Sequence, residues 1–212
     1  MERVSSGWPR RGGSLALAST LLLAVAACGG GGEAALTGVV REPPLGVGSV
    51  QLVSAYGGEV TMTAPDAELL VAAFGYTYCP DICPTTLNDL SIAVNDLPDE
   101  LADRVTVAFV TVDPERDTPD VLTGYVGAFF ADGGIGLHAA DADQLAVATD
   151  ALGVQFSVAD HEPGATDYAV AHTAVTYVID DTGTVVVEWP FGSATEDMTA
   201  DLKTLLHRTS TT

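Results

Sequence analysis

Residues 69–74, Leu69-Leu70-Val71-Ala72-Ala73-Phe74, form an unbroken apolar run of strand length closed by Gly75. Such a run predicts a central β-strand buried on both faces. Over residues 84–97 the apolar positions Leu87, Leu90, Ile92, Val94 and Leu97 alternate with polar ones, and Pro98 follows. That spacing predicts a helix beginning beside Cys83. Residues 105–112 read as a second buried strand. Asp117-Thr118-Pro119 then supplies an N-cap and a first-turn proline for a helix to about Phe130, and residues 141–152 predict a third helix stopped by Gly153. Residues 172–179 and 184–188 flank the turn Asp180-Asp181-Thr182-Gly183 and predict a late hairpin, with a last helix over 195–207. Earlier in the chain, residues 50–54 and 59–63 surround Tyr56-Gly57-Gly58 and predict a first hairpin. The order is ββ-β-α-β-α-α-β-β-α, with a βαβ unit in the middle and no internal repeat.

The first 27 residues follow a different pattern. Arg3, Arg10 and Arg11 form a basic region, residues 14–27 are a short apolar stretch, and Val25-Ala26-Ala27-Cys28 reads as a bacterial lipobox. The stretch is shorter than the roughly 20 residues a membrane-spanning helix needs. Cys28 is followed by Gly29-Gly30-Gly31-Gly32, the composition of a tether behind a lipidated N-terminus. The expected organisation is a lipoprotein signal peptide over 1–27, a lipidated Cys28 with a flexible tether over 28–49, and one domain over 50–212. The expected location is the extracytoplasmic face of the cell membrane, an oxidising compartment.

Charge narrows the function further. The whole chain carries a formal charge of −21, and the mature part, with 28 acids against 5 bases, about −23. Nucleic acid is excluded as a partner on electrostatic grounds. The acids are scattered over predicted loops and helix faces, as a solvated surface requires.

The chemistry lies in the two cysteines that remain. Cys79 and Cys83 stand four apart in Gly75-Tyr76-Thr77-Tyr78-Cys79-Pro80-Asp81-Ile82-Cys83-Pro84, where the first long strand enters a helix. If helical, positions i and i+4 share a face with Cβ atoms roughly 5–6 Å apart, so the sulfurs can converge on one metal ion or on each other. Soft thiolates suit Cu(I). As a structural staple a disulfide here would be poor, because closing so short a loop is worth only about 2 kcal/mol by chain entropy. A reversible redox pair, which would also gate metal binding, explains the spacing better. The expected fold is α/β and thioredoxin-like, a central mixed β-sheet flanked by helices with an N-terminal β-hairpin. Cys79 would lie at the carboxyl end of a strand and near the positive end of a helix.

Four segments together resemble the Sco/SenC family of copper-binding thioredoxin-like proteins: residues 76–84, Val112-Asp113-Pro114-Glu115-Arg116-Asp117-Thr118-Pro119, Asp167-Tyr168-Ala169-Val170-Ala171-His172-Thr173, and Tyr177-Val178-Ile179-Asp180. The resemblance runs from about Val50 to His207. It implies that Cys79, Cys83 and His172 bind copper, and that the protein helps assemble the binuclear copper centre of cytochrome c oxidase. The implied partners are the copper-binding oxidase subunit and a copper-donor chaperone. Two thiolates and one imidazole form a soft trigonal set suited to Cu(I) and able to hold Cu(II), whereas zinc normally takes four ligands.

Two departures from the family pattern stand out. The residue before the histidine is commonly Asp and is here Ala171, so a hydrogen bond near the histidine is either missing or supplied elsewhere. Thioredoxin-type oxidoreductases carry two residues between their cysteines and a cis-proline at the position of Ala174, and both differences argue against general dithiol exchange. The alternative function is a thiol-disulfide reductase that keeps the oxidase's copper-ligand cysteines reduced, with Cys79 and Cys83 as the redox pair. A peroxidase is disfavoured, because Tyr76 and Pro80 occupy the positions three before each cysteine where a peroxiredoxin-like Thr would stand. His138, His161 and His207 are expected to be non-ligands. Asp113, Arg116 and Asp117 are expected to cap a helix and order a loop, and position alone assigns no coordination to Asp81.

Overall fold

The computed structural model describes residues 35–209. The first half of the chain forms β1 (Leu45–Gly46), β2 (Gln51–Ser54), β3 (Glu59–Thr61), β4 (Leu69–Gly75), α1 (Ile82–Asn95), α2 (Asp99–Ala102), β5 (Val105–Thr111) and α3 (Pro119–Gly127). The second half forms β6 (Gly134–His138), α4 (Ala142–Leu152), β7 (Phe156–Val158), β8 (Val170–His172), β9 (Val175–Ile179), β10 (Thr184–Pro190) and α5 (Thr195–Thr209).

Eight strands make one mixed sheet in the order β1-β10-β9-β4-β5-β6-β2-β3. At its centre β4 runs parallel to β5 and antiparallel to β9. All seven residues of β4 are buried, which is why its sequence is apolar without alternation. The thioredoxin-like α/β fold and the first hairpin are as expected. Helix α1 gives the core Cys83, Leu87, Leu90 and Ala93 and packs against α5. Fully burying a leucine contributes about 1.5–3 kcal/mol. Packing therefore fixes α1, because its N-cap residue, Asp81, makes no side-chain capping bond.

Three expectations need correction. A strand, β6, lies between α3 and α4, where none was expected. Its glycines look like a loop in sequence, but they admit α3: a Cβ on Gly136 would lie 2.9 Å from Leu122 Cβ, and one on Gly134 would lie 2.9 Å from Val126 Cγ1. The stretch read as one strand over 172–179 is two: β9 joins the main sheet, while β8 pairs only with β7 in a separate ribbon. The described part of the expected tether, 35–49, packs on the domain. Asp201 accepts bonds from the Thr37 and Gly38 amides and from Trp189 Nε1, Val39 bridges Glu188, and β1 pairs with β10. The signal peptide and Cys28 lie outside the described residues, among which no helix is long and apolar enough to cross a membrane.

Candidate metal centre

Two distant segments build the site. Cys79 lies in the loop between β4 and α1, Cys83 in the first turn of α1, and His172 at the end of β8. Cys83 Sγ is 3.3 Å from His172 Nε2, and the ligand atoms of the three residues all lie within 4.8 Å of one another. Both cysteines are free thiols. Among the described residues no other His, Cys, Asp or Glu joins this group.

The cysteines do not meet through a shared helix face. Cys79 precedes the helix, and its Sγ accepts the Cys83 amide at 3.3 Å, supplying the capping acceptor that the Asp81 side chain does not. Cys83 is almost fully buried, at 3% exposure, whereas Cys79 is partly open to solvent. Gly75 makes room for the inner thiol: a Cβ there would stand 2.7 Å from Cys83 Sγ and 2.8 Å from Phe109 Cε2.

The imidazole is held in a defined state. His172 Nδ1 lies 3.0 Å from the Thr173 carbonyl oxygen. A carbonyl can only accept, so Nδ1 carries the proton and Nε2 turns its lone pair toward the sulfurs. Ala171, at the position where the family commonly has Asp, is exposed. The Tyr76 ring meets the imidazole edge-on, with centroids 5.9 Å apart.

Burial pushes the Cys83 thiol upward, with Cys79 adding to the shift and a Tyr76 backbone bond opposing it. The direction carries a pH prediction for the reduced, metal-free protein. A cysteine in the unfolded chain ionises near 9.0 while the folded one keeps its proton, so this group's share of stability is full below pH 9 and is lost as pH rises beyond it. The loss amounts to at most about 1.4 kcal/mol per pH unit. Denaturant titrations at pH 8 and pH 10 should show the wild type losing stability relative to Cys83→Ala. An unchanged difference would contradict the assignment.

Asp113, Arg116 and Asp117 form a buried cluster beside the site. Asp117 accepts from the Thr77 amide at 2.9 Å, from Thr77 Oγ1 and from Thr111 Oγ1, and burial pushes its carboxyl above the usual range. It clamps the cysteine loop to the end of β5. Thr118, not Asp117, is the N-cap of α3. Arg116 bonds Asp113 and the carbonyls of Thr166 and Tyr168. The cluster therefore orders loops as expected and caps no helix. Sequence reasoning took Gly75 only as the end of a strand and assigned no role to Tyr76, Thr77 or Tyr168, although all three stand inside the quoted motifs.

The remaining histidines stay away from the sulfurs. His138 Nδ1 lies 3.1 Å from the Ala139 carbonyl, His161 stacks on Tyr168 with centroids 3.7 Å apart, and His207 is exposed at the end of α5. Asp81 is exposed and outside the ligand group.

The fold and this site define a thioredoxin-like protein with a Cys-x3-Cys pair facing a histidine. Residues 40–207 match the SCO1/SenC family, and the chain belongs to it. It is 38% identical over 110 residues to an SCO2-like protein of Rickettsia prowazekii, covering 52% of each chain. The chain spans little more than half the length of the curated relatives it matches first. Among solved structures it resembles apo Sco1 of Thermus thermophilus, with 34% identity, a TM-score of 0.70, and coverage of 81% of this chain and 97% of that one. It also resembles ScoI of Bradyrhizobium japonicum, solved with copper bound, with 31% identity, a TM-score of 0.62, and coverage of 80% and 98%.

Proposed function

We propose that this protein is a membrane-tethered, extracytoplasmic copper-binding protein. It holds one copper ion between Cys79, Cys83 and His172 and delivers it to the copper-binding subunit of cytochrome c oxidase. The observation that carries the reading is the convergence of two sulfurs and one imidazole nitrogen within 4.8 Å. Two soft thiolates favour Cu(I), the imidazole lets the same set accept Cu(II), and a three-residue set is one short of the usual zinc complement. The copper-bound Bradyrhizobium relative supports the choice of metal. Tethering rests on the lipobox at Cys28, and the oxidase as client rests on family membership.

Loading requires both thiols to give up their protons, and Cys83 holds its proton more firmly than an exposed cysteine does. Copper uptake therefore strengthens with rising pH. The partly open Cys79 gives an incoming ligand from a partner its first point of contact, while buried Cys83 stays shielded.

Copper titration of the reduced protein tests the reading, with one ion per chain as the expected result. His172→Ala is expected to lose Cu(II) binding while the two sulfurs still hold Cu(I). A variant with the wild-type Cu(II) spectrum would remove His172 from the ligand set. The partly exposed outer sulfur beside a buried inner one also suits a thiol-disulfide reductase. Rapid reduction of an oxidised oxidase-subunit peptide, with negligible copper binding, would favour that second reading.

A further inference from the structure

Strand β8, which carries His172, is three residues long and pairs only with the three residues of β7. The ribbon is not part of the main sheet. The segment that leads into it, 159–169, contains no helix or strand. Behind the imidazole, which lies 3.3 Å from Cys83 Sγ, the Thr173 amide donates to the Gln155 carbonyl at 2.8 Å and the Phe191 amide to the Ala174 carbonyl at 2.9 Å, whereas the segment ahead of β8 takes its side-chain anchors from another part of the chain.

The anchors of that upstream segment come from residues 113–116, just beyond the end of β5. Arg116 Nη1 donates to the carbonyls of Thr166 and Tyr168, both at 3.1 Å, and Tyr168 Oη donates to Asp113 Oδ1 at 2.7 Å. Glu115 Oε1 accepts the Gly164 amide at 3.1 Å. The same guanidinium reaches the cysteine loop. Its carbon lies 3.7 Å from the Tyr168 ring centroid, 5.0 Å from that of Tyr78 and 5.4 Å from that of Tyr76, and Tyr76 in turn meets His172. Nη2 is buried with no hydrogen-bond partner among the described residues, and three aromatic rings lie within 5.4 Å of the guanidinium carbon. Burial opposes the charge, but the bond and charge of Asp113 more than offset it and hold the group cationic.

We propose that Arg116 is a positioning residue that holds His172 against the cysteine pair, and that it thereby sets how well the site retains Cu(II) as opposed to Cu(I). The inference rests on the copper-binding reading above. Its logic is the difference between the two ions: two thiolates alone suit Cu(I), whereas Cu(II) draws on the imidazole. Loosening the histidine arm therefore weakens the oxidised ion and spares the reduced one. Lysine cannot substitute, because a single ammonium cannot lie flat on Tyr168 while bonding Asp113 and two carbonyls at fixed angles.

The test compares the full-length wild type, Arg116→Lys and the milder Tyr168→Phe, which keeps the ring and removes only its bond to Asp113. Each is titrated with Cu(I) and with Cu(II), with electron paramagnetic resonance on the Cu(II) forms and amide hydrogen exchange on the metal-free forms. In Arg116→Lys, Cu(I) binding stays at one per chain, Cu(II) affinity falls about 10- to 100-fold, and the imidazole nitrogen signature weakens. Amides over 166–172 exchange faster in that variant, while those of β4 and β5 do not. Tyr168→Phe moves every readout the same way by less. Wild-type Cu(II) affinity and spectrum in Arg116→Lys would overturn the proposal, as would equal losses of both ions. A wild type that binds neither ion would instead refute the proposed function from which the role of Arg116 follows.

Discussion

Cys83→Ser is expected to abolish stoichiometric copper binding by the reduced protein while leaving the fold intact. The inner sulfur is the ligand closest to the imidazole, 3.3 Å from Nε2, and it lies in a pocket walled by Gly75 and Phe109. Serine fills nearly the same volume, so packing changes little. Its hydroxyl oxygen is a hard donor that stays protonated at neutral pH and offers Cu(I) almost nothing. Cys79→Ser is expected to fail equally, because it leaves a single thiolate. Titration against a competing Cu(I) chelator, with circular dichroism to verify folding, reads both variants. A folded Cys83→Ser protein that still takes up one tightly held copper would place the site elsewhere.

The second large effect is expected at a residue without a side chain. Gly75→Ala would put a methyl group 2.7 Å from Cys83 Sγ and 2.8 Å from Phe109 Cε2, distances that force something to move. Neighbours on both sides are buried in the strand–helix corner, so the thiol has little room to retreat. Overpacking of this kind costs about 1–3 kcal/mol, or roughly 2–12 °C in melting temperature for a domain of this size. Displacing Cys83 from Cys79 and His172 should weaken copper binding as well. Thermal melts of the metal-free protein together with Cu(I) competition would show both losses. A variant with unchanged Tm and affinity would mean that the corner is far softer than its packing indicates.

How much of this could be read from sequence follows from where each feature keeps its information. The central strand was legible because burial on both faces leaves only apolar residues at 69–74. The four longer helices were legible through their periodicity and stops, as with Gly153, whose φ of 69° ends α4 in the left-handed conformation, whereas the four-residue α2 was not. Strand β6 was not, because Gly134 and Gly136 imitate a loop while serving a close helix–strand contact. Nor was the anchoring of residues 37–38, which depends on Asp201 more than 160 residues away.

The site divides along the same line. The cysteine spacing announced a metal or redox pair, and the resemblance pointed to His172. The reason the three meet was not written in any local pattern. It depends on Asp117 clamping Thr77 and on Arg116 bonding the Thr166 and Tyr168 carbonyls, contacts between segments 40 or more residues apart in the chain. Asp117 shows the limit well: its place before Thr118-Pro119 reads as a helix cap, yet its carboxylate turns to Thr77 and Thr111.

Copper K-edge X-ray absorption on the reduced protein loaded with one equivalent of Cu(I) tests the central claim most directly. Coordination by two sulfurs and one nitrogen at a single copper per chain is the predicted result. Coordination by nitrogen and oxygen alone, or loading well below one equivalent, would contradict it.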